Sequence, residues 1–138
     1  MHKPILTRAA VFGALAVALG AFGAHAVKSK LTAAHFEVYE TAIKYLMIHC
    51  LALMGVGIIA WLQPSKWLIY ASAAFTVGIL IFSGTLLLLS FFRAAGDFSK
   101  NWLGAITPVG GFLLIVGWVL VALAVNKLSL KESQADKS

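Results

Sequence analysis

Four uninterrupted apolar blocks set the limits on what this chain can fold into. They run from about Ala9 to Val27, Tyr45 to Leu62, Trp67 to Phe92 and Trp102 to Val125, and none contains Asp, Glu, Lys or Arg. A helix needs about 20 apolar residues to cross about 30 Å of hydrocarbon. Each block is close to or above that length, and each is too continuous for the alternating pattern of a barrel strand. The expected fold is all-α: a polytopic membrane protein with a four-helix transmembrane bundle over residues 1–127.

Charge supports the same reading. Only 12% of the 138 residues are charged, against about 25% in soluble domains, whose surfaces must face water. The net charge of +6 raises the question of nucleic acid. Lys and Arg lie between and beside the apolar blocks, however, and form no basic stripe on a folded face. Placed there, they serve as topology signals and contacts for lipid headgroups. The lipid bilayer is therefore the expected partner, and nucleic acid is excluded. The single cysteine, Cys50, rules out an internal disulfide and falls in an apolar helix, where a buried thiol is expected.

The sizeable polar connection is Lys28 to Lys44. Thr32 is placed to cap a helix, Glu37 and Glu40 lie near its positive end, and Phe36, Tyr39, Ile43 and Leu46 follow helical spacing. The second helix is thus expected to begin at the interface, over about 32–44, before it enters the membrane. The other connections are short, which makes successive helices antiparallel neighbours. Residues 128–138 read as a polar, disordered tail. The first block has a rival reading as a signal peptide cleaved at Ala24-His25-Ala26. Against it stand the block's length and its packing stripe of Gly13, Ala16, Gly20 and Ala24, small residues that let helices approach closely.

Side A denotes the side bearing both termini, and side B the side bearing the 28–44 segment. Trp61, Trp67 and Tyr70 mark side A, with Trp118 somewhat deeper in that half; Tyr39, Tyr45, Phe91, Phe92 and Trp102 mark side B. Lys3, Arg8, Lys66, Lys127, Lys131 and Lys137 on side A slightly outnumber Lys28, Lys30, Lys44, Arg93 and Lys100 on side B. That bias favours cytoplasmic termini in a bacterial inner membrane.

Projected at about 1.5 Å per residue, the polar residues of the spans gather towards side B. His25, Lys44, His49, Ser83, Thr85, Thr107 and Pro108 fall in that half, while the side A half offers only Ser72 and Thr76. Polar groups in lipid face the bundle interior, so an internal cluster displaced towards side B is expected. Each member also has a plainer reading. Lys44 can pair with Glu40 one turn earlier, or snorkel to the headgroups. His25 and His49 can bond to Thr107, Tyr45 or backbone carbonyls, or else handle protons. Pro108 deprives the Gly104 carbonyl of its donor and is expected to kink the fourth helix. Gly110 and Gly111 beyond it open either a packing notch or a small cavity. Two histidines on separate helices do not make a metal site, and no catalytic pair or phosphate loop is present, so no cofactor, metal or enzyme activity is expected.

Several blocks resemble a known family. Gly20-Ala21-Phe22-Gly23-Ala24-His25, Tyr45 and His49, Phe82-Ser83-Gly84-Thr85, Thr107-Pro108-Val109-Gly110-Gly111 and Gly117-Trp118 are together similar to the YgdD-like family, domain-of-unknown-function family 423. Its members are small bacterial inner-membrane proteins, and small eukaryotic transmembrane proteins are similar. The resemblance spans roughly Arg8 to Val125 and implies four membrane spans without implying an activity. Three functions fit: a non-enzymatic component that packs against itself or a membrane-protein partner; a small transporter or proton-linked permeability factor with a side B cavity, which would require a homo-oligomer; and a lipid-headgroup binder or membrane enzyme using the histidines.

Overall fold

Where sequence patterning ends each helix, a computed structural model of the chain places a cap or a turn; it describes residues 2–135, with side chains through 127. Helix α1 (His2–Phe22) widens into a π-helical turn (Gly23–Val27) and then tightens into a 3-10 turn (Lys28–Lys30). Helix α2 (Ala33–Leu62) starts where expected. Thr32 is extended and its side chain accepts the His35 N–H at 3.3 Å, satisfying one of the donors every helix start leaves open. Helix α3 (Lys66–Ala94) follows Pro64 and is capped by Ser65, which accepts the Trp67 N–H at 3.3 Å. Gly96, with φ of 81°, turns the chain towards α4 (Leu103–Ala135).

Two boundaries differ from expectation. α1 is helical from His2, about two turns ahead of the apolar block, and Ile5 is buried with it. α4 runs past Val125 through Ala135, into the segment expected as a disordered tail. Lys127, Leu128, Leu130, Lys131 and Glu132 favour helix and no Gly or Pro interrupts them. Residues 136–138 of that tail lie outside the described residues.

All four helices are long and apolar enough to cross a membrane, and successive helices pack antiparallel: α1 on α2, α2 on α3 and α3 on α4. α1 and α4 are not a packed pair, so the bundle is a folded strip rather than a closed ring. Its core follows helical spacing, with Ile5, Ala9, Phe12 and Ala16 on α1 meeting Leu46, Cys50, Leu53 and Val56 on α2, and Leu68, Phe75 and Ile79 on α3. Lipid is as apolar as these side chains, so close approach and dispersion contacts hold the helices together. Glycines mark the closest points. A methyl group on Gly57 would meet Leu6 Cδ2 at 2.6 Å, one on Gly78 would meet Leu114 Cδ2 at 2.7 Å, and one on Gly110 would fall on the Phe82 backbone.

The expected α1 stripe is realised in part. Ala16 is buried, Gly13 faces Cys50 and Gly20 faces Ile43. Ala24 is exposed: it shares a groove beside α2 with Gly20 and is not packed into the helix interface.

Candidate intramembrane polar site

α2 carries His49 one turn beyond Tyr45, which brings Nδ1 within 2.8 Å of the Tyr45 carbonyl oxygen. α4 supplies the second partner: the Trp118 indole Nε1–H points at His49 Nε2 from 3.2 Å. An indole N–H only donates. Nε2 therefore accepts, and Nδ1 must carry the proton donated to the carbonyl. His49 is in this way a neutral tautomer with both nitrogens engaged, and it ties α2 to α4.

Rings complete the surroundings. Phe75 meets Trp118 edge-on at 5.3 Å between centroids and lies 5.7 Å from His49, while Tyr45 and Phe82 approach to 4.5 Å. Beside them opens a cavity of about 400 Å³ lined by Tyr45, Ile48, His49, Phe82, Gly111 and Trp118 among others. Trp118 is 48% exposed and Tyr45 38%, so the cavity opens sideways, towards lipid. His49 itself is only 5% exposed. The arrangement can hold an apolar body against an aromatic wall; both nitrogens of His49 are engaged, which leaves the Tyr45 hydroxyl as the polar group at the cavity without a partner among the described residues.

Nearer side B, Thr85 on α3 and Thr107 on α4 share a hydrogen bond of 2.9 Å. Thr85 also donates towards the Ile81 carbonyl, and Thr107 lies 3.4 Å from that of Leu103. Ser83 is buried and its hydroxyl has no partner among the described residues. Gly110 passes against the Phe82 backbone, and Gly111 leaves 3.5 Å to the Phe82 ring. That close passage is what puts the two threonines in reach of each other.

The single convergent cluster expected from depth thus resolves into two separate links. His25 does not join them: it sits exposed on the π turn, past the packed part of α1. Lys44 is also at the surface, where it lines a groove of about 270 Å³ with Glu40, Gly20, Ala24 and Tyr39. No ion pair forms between Glu40 and Lys44 among the described residues. Exposed charges there lose little by staying solvated. Pro108 is exposed as well, and the helix continues through it unbroken.

Three features were not anticipated from the residues. Trp118 reads as an aromatic of the side A half, yet it is the partner of His49; the signal was an indole N–H placed away from the interface, where it needs an acceptor. Tyr39 packs against Gly23 and donates its hydroxyl to the Leu19 carbonyl at 2.5 Å, fastening α2 to the end of α1. Arg8 reads as the boundary of the first block, yet its Nη1 reaches Thr76 Oγ1 on α3 at 3.1 Å and its Nε reaches the Pro4 carbonyl at 3.2 Å. Ile5 and Leu6, apolar and on the outer side of Arg8, were the sign that the membrane-facing helix begins earlier.

Comparison with known proteins agrees with this architecture. A UPF0382 membrane protein of Staphylococcus saprophyticus is 35% identical over 131 residues, 91% of this chain and 99% of that protein. The UPF0382 membrane protein YwdK of Bacillus subtilis is 34% identical over 132 residues, 91% of this chain and 98% of the relative. The UPF0382 inner membrane protein YgdD of Escherichia coli is 33% identical over 127 residues, 92% of each chain. No solved structure matches. The family model described as "Protein of unknown function (DUF423)" matches residues 19–111, which include His49, Ser83, Thr85, Thr107, Pro108 and Gly110. Two-thirds of the sequence under that model, with relatives alike along nearly their whole length, make this chain an integral membrane protein of the DUF423 family.

Proposed function

We propose that the chain is a non-enzymatic component of the bacterial inner membrane that acts by helix packing, with itself or with a membrane-protein partner. The observation that carries this reading is the double engagement of His49. Both ring nitrogens are used by Tyr45 and Trp118, so the histidine best suited to proton or ligand chemistry acts as a fastener between helices. Thr85–Thr107 and Arg8–Thr76 have the same form, each joining two helices. The outward face of α4, with Val109, Phe112, Ile115 and Val119 exposed, offers an apolar surface for a partner helix. The positive bias of side A supports cytoplasmic termini.

Single cysteines at Phe112 and Ile115, in a Cys50→Ala background, test the packing role by crosslinking in native membranes. A discrete adduct is expected from these positions and none from Lys30→Cys. Sidedness has a separate check. Labelling of Lys3→Cys and Lys30→Cys from outside intact cells should mark only the second, and the reverse pattern would invert the orientation.

The second reading, a small transporter, draws on the cavity beside His49. It predicts that His49→Gln keeps assembly and thermal stability while abolishing a flux in reconstituted vesicles. Helix packing predicts the opposite order of losses, with stability falling first.

A further inference from the structure

Arg8 lies within a membrane span and has no acidic partner among the described residues. Arg8 meets Thr76, which lies ten residues beyond Lys66 and so about 15 Å along α3 from its start. Trp67 and Tyr70 mark the interface above it. A guanidinium has five N–H donors. Here Nε serves the Pro4 carbonyl and one Nη1 donor serves Thr76, and the remaining donors have no acceptor among the described residues. Thr76 accepts from Arg8 while its own hydroxyl donates to the Ser72 carbonyl at 2.7 Å, which fixes the direction of its lone pairs.

The described side chains around it bring no negative charge. Among described side chains the acids are Glu37, Glu40 and Asp97, all towards side B, while Lys3 and Lys66 lie at the side A end. Lys127 is there too, its ammonium 4.6 Å above the Trp67 ring. Access is open as well. Arg8 and Thr76 are only half-buried, and Ala73, Val77 and Leu80 beside Thr76 are exposed. Because α1 and α4 are not a packed pair, α4 does not cover the seam between α1 and α3.

From this geometry we infer that Arg8 and Thr76, under the side A lysines, form a binding site for the phosphate of an anionic lipid headgroup. The guanidinium fork matches phosphate oxygens in a bidentate way, as a lysine ammonium does not. The direction of the side chain favours a headgroup over a carboxylate from another protein's helix. Its bond to Pro4, one turn nearer the N-terminus, tilts the guanidinium towards the side A headgroups, where lipid phosphates lie and where the lysines add long-range attraction. A phospholipid drawn to this seam would lay its acyl chains along the exposed α3 face below.

The test uses the full chain, purified in mild detergent and titrated with phosphatidylglycerol or phosphatidylcholine, with bound lipid counted by native mass spectrometry. The wild type should retain phosphatidylglycerol over phosphatidylcholine by about fivefold or more, in keeping with a charge-assisted fork. Arg8→Gln should abolish that preference and Arg8→Lys should reduce it, at unchanged helicity and elution volume. Thr76→Val leaves the charge in place and loosens its aim, so a partial loss is expected even if Arg8→Gln cannot be obtained folded. Equal retention in the wild type, Arg8→Lys and Thr76→Val would overturn the site. Displacement of the lipid by millimolar inorganic phosphate would overturn the headgroup assignment in favour of a free anion. A co-purifying membrane protein lost in Arg8→Gln, with lipid retention unchanged, would assign Arg8 to a partner's carboxylate instead.

Discussion

Single residues in this bundle divide by whether a neighbour can yield. At Gly110 an added methyl group would fall on the Phe82 backbone, which cannot rotate away, whereas at Gly57 it would meet the far end of Leu6 and at Gly55 nothing within 4 Å. Gly110→Ala should therefore destabilise by about 1–3 kcal/mol or more, Gly57→Ala by less, and Gly55→Ala should be neutral or slightly stabilising, since glycine weakens a helix interior. Thermal unfolding in one detergent would read that order, and equal effects at all three positions would refute the close packing of α3 on α4. The His49 link has a comparable test. Trp118→Phe keeps most of the ring and removes the donor, leaving Nε2 unpaired in an apolar site. Interhelical hydrogen bonds in membranes are worth about 0.6–1.7 kcal/mol, so a loss in that range is expected. A double-mutant cycle with His49→Gln should return a coupling of similar size, and no coupling would separate the two residues.

Elements are bounded by local chemistry, and the turn between α3 and α4 shows how. Gly96 takes a φ of 81°, a conformation L side chains rarely adopt, so Gly96→Ala should cost about 1 kcal/mol or more. Next to it, Asp97 is held below the usual carboxylate range by the Ser99 side chain first, then by the Ser99 backbone N–H at 2.8 Å, with a smaller contribution from Lys100. A carboxyl with a lowered folded value stabilises above its unfolded value and loses that contribution as pH falls through the folded value. The difference in unfolding temperature between wild type and Asp97→Ala should accordingly be present near neutrality and vanish below the carboxylate range. The group lies in a solvent-accessible turn, so the effect is small and should shrink with salt. The capped start of α2 was legible as Thr32, because capping depends on neighbours in sequence; Ser65 caps α3 in the same way at the opposite end, though it was not anticipated from the residues. The π turn at Gly23–Val27 was not legible, since it answers to Tyr39 pressing on Gly23 from another helix.

At the scale of the whole molecule the chain is a strip of four antiparallel helices, and its polar groups serve as the links between them. Four helix pairs are joined by hydrogen bonds: α1 to α2 through Tyr39, α2 to α4 through His49, α3 to α4 through Thr85, and α1 to α3 through Arg8. Removing any one should loosen the strip without changing its four spans. Protease accessibility of the loops ought then to rise in a Thr107→Val or Trp118→Phe variant, while topology labelling stays as in the wild type. Sequence alone determined the spans, their order, the interface aromatics and the α2 cap, because each follows from the cost of putting charge or unpaired backbone into hydrocarbon, a cost paid residue by residue. Only the tertiary structure decided which polar groups meet. Depth along a helix can be counted from the sequence, but the direction a side chain faces depends on how two helices rotate against each other. Close approach sets that rotation, at Gly110 against Phe82, Gly57 against Leu6 and Gly23 against Tyr39. It left His25 and Lys44 at the surface, matched His49 with Trp118, and set Arg8 against Thr76.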